Sequence, residues 1–423
     1  MPENESLEEV AEQIADKVKK PRKPVFTDSE IVFTLGCDLT DLAAGGGLRY
    51  GIPAGCIINF VGDKSSGKTA QAVETIVANH FKFGNAFKWV YDDCETGNTF
   101  QTKEKYGIEV IPEDPKKRVK SKTVEEAFCN IRAFTESLKE DECGIYVLDS
   151  LDGLTSEEQN KRADTRYTRF VKGSDKEMEG SYQMGKPKYL SQEFFPQLHD
   201  RLSSTKVLLI IVSQTRSVID PFSFKKYSRA GGDALDFYCH SIFYFANLIR
   251  LKKGESVIGH ILRALLEKSK TPLPYRKCDF IFYFDYGIDN TGSNIDYLYS
   301  LRNVKEGYKL LERANAITWD ADAKEKTVQT LKEFIETYNL IDEYKAAYKD
   351  YKKSDMIEFL ETLNPPHEAY AQTFGTSRTR DELIAYIEAN GLQPELTKRV
   401  RDKWEANEQA VKTNRAPKFP ART

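Results

Sequence analysis

What the chain lacks narrows it first. Nowhere in its 423 residues is there a run of eighteen apolar side chains, so no segment reads as a membrane-spanning helix. The start, Met1 to Lys20, is polar and acid-rich, without the apolar centre of a secretory signal. Seven cysteines (Cys37, Cys56, Cys94, Cys129, Cys143, Cys239 and Cys278) are an odd number, and no two are spaced C-x-x-C. That argues for reduced, partly buried thiols in a cytoplasmic protein. A cationic excess is missing too. The net charge is −3, so any hold on nucleic acid must come from local basic patches. No internal repeat is evident. What the chain does have is core material: it is 40% hydrophobic, with 24 Phe and 22 Tyr, enough for two or three domains.

One stretch organises the rest. Gly62-Asp63-Lys64-Ser65-Ser66-Gly67-Lys68-Thr69 has the form G-x-x-x-x-G-K-[ST]. It follows a strand-like run, Cys56–Val61, and precedes Ala70, Val73, Ile76, Val77 and His80 at helical spacing. Glycines let successive backbone N–H groups turn inward around phosphate oxygens, and the helix N-terminus adds its positive dipole end. The pattern assigns Lys68 to the β- and γ-phosphates of a nucleotide and the Thr69 hydroxyl to Mg²⁺.

Strand-like runs follow at 86–91, 144–148, 207–212, 241–251, 261–267 and 279–284. Their alternation with helical stretches predicts an α/β fold with a mostly parallel sheet. The last three succeed one another without a helix, which predicts an antiparallel extension at one edge. The ends of the earlier runs carry chemistry, because ligands bind at the C-terminal edge of a parallel sheet. Trp89-Val90-Tyr91 leads into Asp92-Asp93-Cys94-Glu95. Glu95 is the first candidate for the base that deprotonates a water, with Asp92 or Asp93 as alternatives. Ile145 to Leu148 leads into Asp149, a candidate Mg²⁺ ligand beside Thr69. The run 207–212 ends at Ser213 and Gln214, whose amide could sense a γ-phosphate.

Two long basic segments leave this edge. Residues 217–230 carry Lys225, Lys226 and Arg229 among Phe222, Phe224 and Tyr227, and close on Gly231-Gly232. Cations interleaved with aromatics suit phosphate contact and base stacking. Residues 154–188 carry Lys161, Arg162, Arg166, Arg169, Lys172, Lys186 and Lys188 with Tyr167, Phe170 and Tyr182, but also four glutamates. A segment of that length is functional or disordered.

Outside the centre, Leu7, Val10, Ala11, Ile14 and Val18 stripe an N-terminal helix ahead of a Lys/Pro linker. That stripe must dock on its own core or on a neighbouring subunit. Beyond about residue 316 the pattern is helical. A capping box at Thr379–Glu382 opens one helix, and Leu396, Val400 and Trp404 stripe a last one. Lys398, Arg399, Arg401 and Lys403 lie on its other faces, either as a solvated surface or as a contact for duplex DNA. The expected organisation is an N-terminal helix and linker (1–30), an ATPase core (31–315), a helical C-terminal domain (316–406) and a disordered tail (407–423).

Taken in order, these motifs resemble the RecA-type recombinases, in their bacterial or phage branch. Phe33 to Leu39, Gly45-Gly46-Gly47-Leu48 and Gly51 to Gly55 are similar to that family's core opening. Asp93-Cys94-Glu95, Asp149-Ser150, Ser213-Gln214-Thr215-Arg216 and Gly231-Gly232-Asp233-Ala234-Leu235-Asp236-Phe237-Tyr238 match its later segments. So does Glu267-Lys268-Ser269-Lys270 before Pro274-Tyr275, the family's paired lysines that reach the neighbouring subunit's nucleotide. Asp285 to Ile288 fits the end of the core. The resemblance implies a RecA-like P-loop core that uses ATP and Mg²⁺, with Glu95 as catalytic base. It also implies a helical filament on single-stranded DNA, pairing with double-stranded DNA, in the cytoplasm of a bacterial or phage-infected cell. The alternative is a RecA-fold ATPase serving as mediator or helicase-like motor. The chain departs from the family at 154–188, in its C-terminal part, and at Thr102, where an adenine-stacking aromatic is expected and only Phe100 or Tyr106 lies near.

Overall fold

The computed structural model describes residues 31–45, 50–95, 101–172, 185–217, 227–228, 231–253, 255–270, 273–299, 327–337, 341–363, 374, 380–413 and 415. The N-terminal stripe and the cations Lys225, Lys226 and Arg229 lie outside these residues.

Eight strands build the main sheet: β1 (Ile57–Gly62), β2 (Phe87–Asp93), β3 (Cys143–Asp149), β4 (Val207–Gln214), β5 (Ser241–Lys253), β6 (Ser256–Ser269), β7 (Lys277–Tyr283) and β8 (Gly287–Asp289). Their spatial order is β8-β7-β6-β5-β1-β4-β3-β2. From β2 to β5 every neighbouring pair is parallel. From β5 to β8 every pair is antiparallel. The expected architecture, parallel with an antiparallel extension, is the one observed.

Hydrophobic runs become strands here because both faces of the parallel part are covered. In β1, Ile58 and Phe60 enter one core cluster while Ile57 and Val61 enter the other, the period-2 alternation of a pleated strand. Helices α1 (Asp38–Gly45) and α2 (Lys68–Phe83) cover the first face, with Leu39, Leu42, Val73 and Ile76 buried there. The second is covered by α3 (Val124–Ser137) and by α5 (Phe195–Leu202), which follows α4 (Glu157–Val171) along the chain. A short α6 (Gly232–Tyr238) leads into β5. Strand β6 begins at Ser256 rather than near Ile261. Its first residues are exposed or only half-buried, so the apolar run understates its length.

Among the described residues, six helices end the chain: α7 (Asn290–Leu298), α8 (Val328–Thr337), α9 (Ile341–Ala347), α10 (Lys353–Leu363), α11 (Arg380–Ala389) and α12 (Gln393–Ala410). Leu331, Ile335, Tyr344, Met356 and Phe359 join α8, α9 and α10 in a small cluster of their own. By contrast Leu383, Ile387, Leu396, Val400 and Trp404 belong to the main core cluster. Buried Arg380 grips Asp296 of α7 through two bonds of 2.5 and 3.1 Å, tying α11 to the core. Helix α12 runs to Ala410, past residue 407 where the tail was expected to start. Arg276 holds Glu408 in its last turns through a 2.6 Å bond from Nε. All seven cysteines are free, five of them buried. Among the described residues, no helix is long and apolar enough to cross a membrane.

Candidate active site

The phosphate loop leaves the C-terminal end of β1, between its neighbours β4 and β5. Its shape requires the two glycines. A Cβ on Gly62 would lie 2.5 Å from the Phe245 carbonyl and from Ser66 Oγ, and one on Gly67 (φ 89°) 2.4 Å from Leu262. Asp63, Lys64 and Ser65 are exposed on the crest of the loop, and Ser65 also takes a left-handed conformation (φ 60°). Ser66 is buried beneath them.

Lys68 is buried at the start of α2. Its Nζ donates to the carbonyls of Gly62 (2.9 Å) and Asp63 (2.7 Å) and to Ser66 Oγ (3.3 Å). Burial pushes the ammonium below its ordinary range, while Asp149, Glu95, Asp63 and Asp152 pull the other way. One residue on, Thr69 Oγ1 donates to Asp149 Oδ2 at 2.8 Å, and the Tyr91 hydroxyl donates to the same oxygen. Burial raises the Asp149 carboxyl, opposed by those two hydroxyls.

Three carboxylates end or follow β2, and their surroundings separate them. Asp92 faces the interior, where Ser121 N (2.8 Å), Ser121 Oγ (2.5 Å) and the Tyr146 hydroxyl (2.7 Å) donate to it. Asp93 and Glu95 line the cleft, Asp93 with Arg118 at 3.8 Å. Glu95 Oε1 accepts from Ser150 Oγ and from Gln214 Nε2, each at 2.6 Å. The Gln214 backbone N–H donates to Asp152 Oδ2 at 2.9 Å. Tyr91 sits two residues before Asp93 on the same face of β2, a period-2 signal present in the sequence.

The cleft holds about 600 Å³. Ser65 to Ala70, Asp93, Glu95 and Asp149 form its polar end, and His260, Leu262, Phe282 and Phe284 its apolar end. These four come from the antiparallel extension or its margin, roughly 190 to 215 residues along the chain from the loop. Thr102 is buried, accepting from Val110 N at 2.9 Å, and Tyr106 donates to Glu74 at 2.6 Å. Neither lines the cleft, and Phe100 lies outside the described residues.

Beyond Gln214, the short strand Arg216–Ser217 pairs antiparallel with Tyr227–Ser228, so the basic segment leaves and returns across two residue pairs. Gly231 (φ 91°) and Gly232 (φ 50°) then turn into α6. Lys268 and Lys270 lie away from their own loop. Gly62 pairs with Phe245, whereas Lys268 pairs with Ile242, about 10 Å back along β5 and one strand further out. Lys268 Nζ donates to the carbonyls of Asp236 and Phe237 at the end of α6. Burial and the neighbouring Lys268 push the Lys270 ammonium down.

No family model matches the chain. Protein RecA of Sulfurovum sp. is 28% identical over 288 residues, which are 67% of this chain and 72% of that protein. The crystal structure of the RadB recombinase aligns with 60% of this chain and 98% of its own at 18% identity, with a TM-score of 0.41. With the phosphate loop, Glu95, Asp149 and Gln214 gathered at one sheet edge, the chain is similar to the RecA-type recombinases over two thirds of its length.

Proposed function

We propose that the protein is a DNA-dependent ATPase that assembles as a helical filament on single-stranded DNA and pairs it with homologous duplex. The observation that carries this is the 2.6 Å bond from Gln214 Nε2 to Glu95 Oε1. It joins the carboxylate best placed to activate water to the residue from which the basic 217–230 segment departs. A change at the nucleotide therefore reaches the DNA-holding segment through one hydrogen bond.

The chemistry follows from the residues. ATP lies with its triphosphate over Gly62–Thr69 and its purine against the apolar wall of Leu262, Phe282, Phe284 and His260. Lys68 exchanges its carbonyl partners for phosphate oxygens. Glu95 takes a proton from the water that attacks the γ-phosphorus, as the bond to the bridging oxygen breaks and ADP leaves. Thr69 Oγ1 and Asp149 Oδ2, 2.8 Å apart, are two hard oxygens suited to Mg²⁺. An ion held by so few protein oxygens would keep most of its waters. When bound, it neutralises charge on the phosphates. Lys268 and Lys270 supply the remaining positive charge to the next subunit's nucleotide, as an arginine finger would. Lys225, Lys226, Arg229 and the Gly231-Gly232 turn hold the DNA strand.

Wild-type protein is expected to hydrolyse ATP faster with single-stranded DNA. Lys68→Ala should abolish that turnover, and Glu95→Gln should lower it about 10²–10⁴-fold. Electron microscopy with single-stranded DNA and a slowly hydrolysed ATP analogue should show regular helical filaments, and strand exchange should follow. Closed rings, or filaments without strand exchange, would favour a mediator or motor. Turnover indifferent to DNA would refute the reading.

A further inference from the structure

The phosphate loop and the aromatic wall facing it across the cleft are about 210 residues apart in the chain. A nucleotide that spans both needs their separation held, since a misplacement of about 1 Å can cost a reaction about 10²-fold. On the loop side the holding element is α2, which starts at Lys68 and carries Glu74 about 9 Å further along its axis. Glu74 is buried, and its Oε1 accepts from the Ile288 backbone N–H at 3.0 Å as well as from the Tyr106 hydroxyl at 2.6 Å. The approach is close enough to require glycine beside it. A Cβ on Gly287 (φ 108°) would lie 2.1 Å from that same oxygen. Gly287 follows Phe284 by three residues, so Glu74 ties the helix of the phosphate loop to the turn that ends the wall.

Lys105 grips the wall itself. Its Nζ donates to the Phe284 carbonyl at 3.1 Å and the Tyr283 carbonyl at 3.4 Å, and lies 4.6 Å from the centroid of the Phe282 ring. It stands on the short helix Thr102–Tyr106, one residue before the tyrosine that bonds Glu74. So short a helix does not hold itself in water. This one is pinned at both ends, by Tyr106 on Glu74 and by Thr102 Oγ1, which accepts from Val110 N at 2.9 Å. Burial pushes the Glu74 carboxyl up and the Lys105 ammonium down, and each charge opposes the shift of the other. A carboxylate is costly to bury, and an apolar side chain of that size would pack here without the penalty. What the carboxylate adds is a directional hold on a backbone N–H and a hydroxyl at once.

None of the three side chains lines the cleft, so none touches a nucleotide there. They act through Phe282 and Phe284. We infer that Glu74, Tyr106 and Lys105 are positioning residues for the nucleoside half of the nucleotide: they fix the aromatic wall relative to the phosphate loop, so that base and triphosphate seat together. The inference rests on the function proposed above and adds to it the brace behind the base. Thr102, where an aromatic over the base was expected, is turned into the fold. The short helix therefore serves the base from behind the wall.

The test uses full chains of wild-type protein, E74L, E74Q, Y106F and K105M. Binding of ATP and of inorganic triphosphate, each with Mg²⁺, is measured by calorimetry beside KM and kcat for ATP turnover. E74L and K105M should weaken ATP binding and raise KM about tenfold, and Y106F about threefold. Their kcat at saturating ATP and their affinity for inorganic triphosphate should stay within about twofold of wild type. E74Q still accepts from both donors and should bind ATP as wild type does. Y106F removes a single hydroxyl, so it reports even if E74L does not fold. An unchanged KM in Y106F and K105M would overturn the inference. So would an equal loss on ATP and inorganic triphosphate, or a fall in kcat with KM unchanged, either of which marks a general structural role. If wild-type protein binds neither ATP nor inorganic triphosphate, it is the underlying function that fails.

Discussion

Helices α4 and α12 look alike in composition and differ in every physical respect. Both are long and rich in Lys and Arg. In α12 an apolar stripe, Leu396, Val400 and Trp404, is buried in the main core, and the cations are spent on the fold. Lys403 Nζ donates to the carbonyls of Tyr297 (3.0 Å) and Leu298 (2.7 Å) at the end of α7. Arg401 lies 3.3 Å from the centroid of the Tyr50 ring, and Arg399 bonds Glu395 at 2.6 Å. Three of the four cations that suggested a duplex-binding surface are therefore engaged within the protein. Helix α4 has neither stripe nor core.

That contrast can be broken by mutation. The largest effect is expected at Arg380→Ala, which takes both guanidinium bonds from buried Asp296 and loosens the α11–α12 unit. Urea unfolding should show a loss of about 3–5 kcal/mol. Trp404→Ala should cost about 3 kcal/mol by leaving a cavity at the α12 interface, read as a fall in melting temperature. Lys403→Ala frees two carbonyls at the end of α7 and should cost about 1 kcal/mol in the same melt, since that side chain is partly solvated. Arg166→Ala and Phe170→Ala in α4 should each change stability by less than about 0.5 kcal/mol. A large destabilisation from either would mean that α4 packs within the fold after all, and the comparison would collapse.

Much of this molecule can be read along the chain. Runs such as Val207–Val212 are strands because both faces of the sheet are buried, and Gly62–Thr69 marks its loop by local chemistry alone. Spatial order is another matter. That β4 inserts beside β1, or that β5 flanks it on the other side, depends on helix packing between distant segments. The cleft divides the same way. Glu95, Asp149 and Gln214 end their strands or follow close behind and are visible there. Choosing between Asp92 and Glu95 required seeing Ser121 and Tyr146 claim the former. Phe282 and Phe284 reach the cleft only because β6 and β7 fold back over it, which no local pattern announces. In the 154–188 segment, mixed charge hid a helix whose capping box, Ser156 with Gln159, was present in the letters.

If Lys268 and Lys270 serve the next subunit's nucleotide, as proposed, the offset of Lys268 from Gly62 along the sheet gives each chain a giving end and a receiving end. On the proposed assignment, a stack of n chains holds n − 1 complete sites, and the chain at one terminus is idle. Turnover per molecule then rises with protein concentration and with the length of the DNA lattice, and a solitary chain burns almost no fuel. On that assignment, hydrolysis is restricted to protein already assembled, by geometry alone.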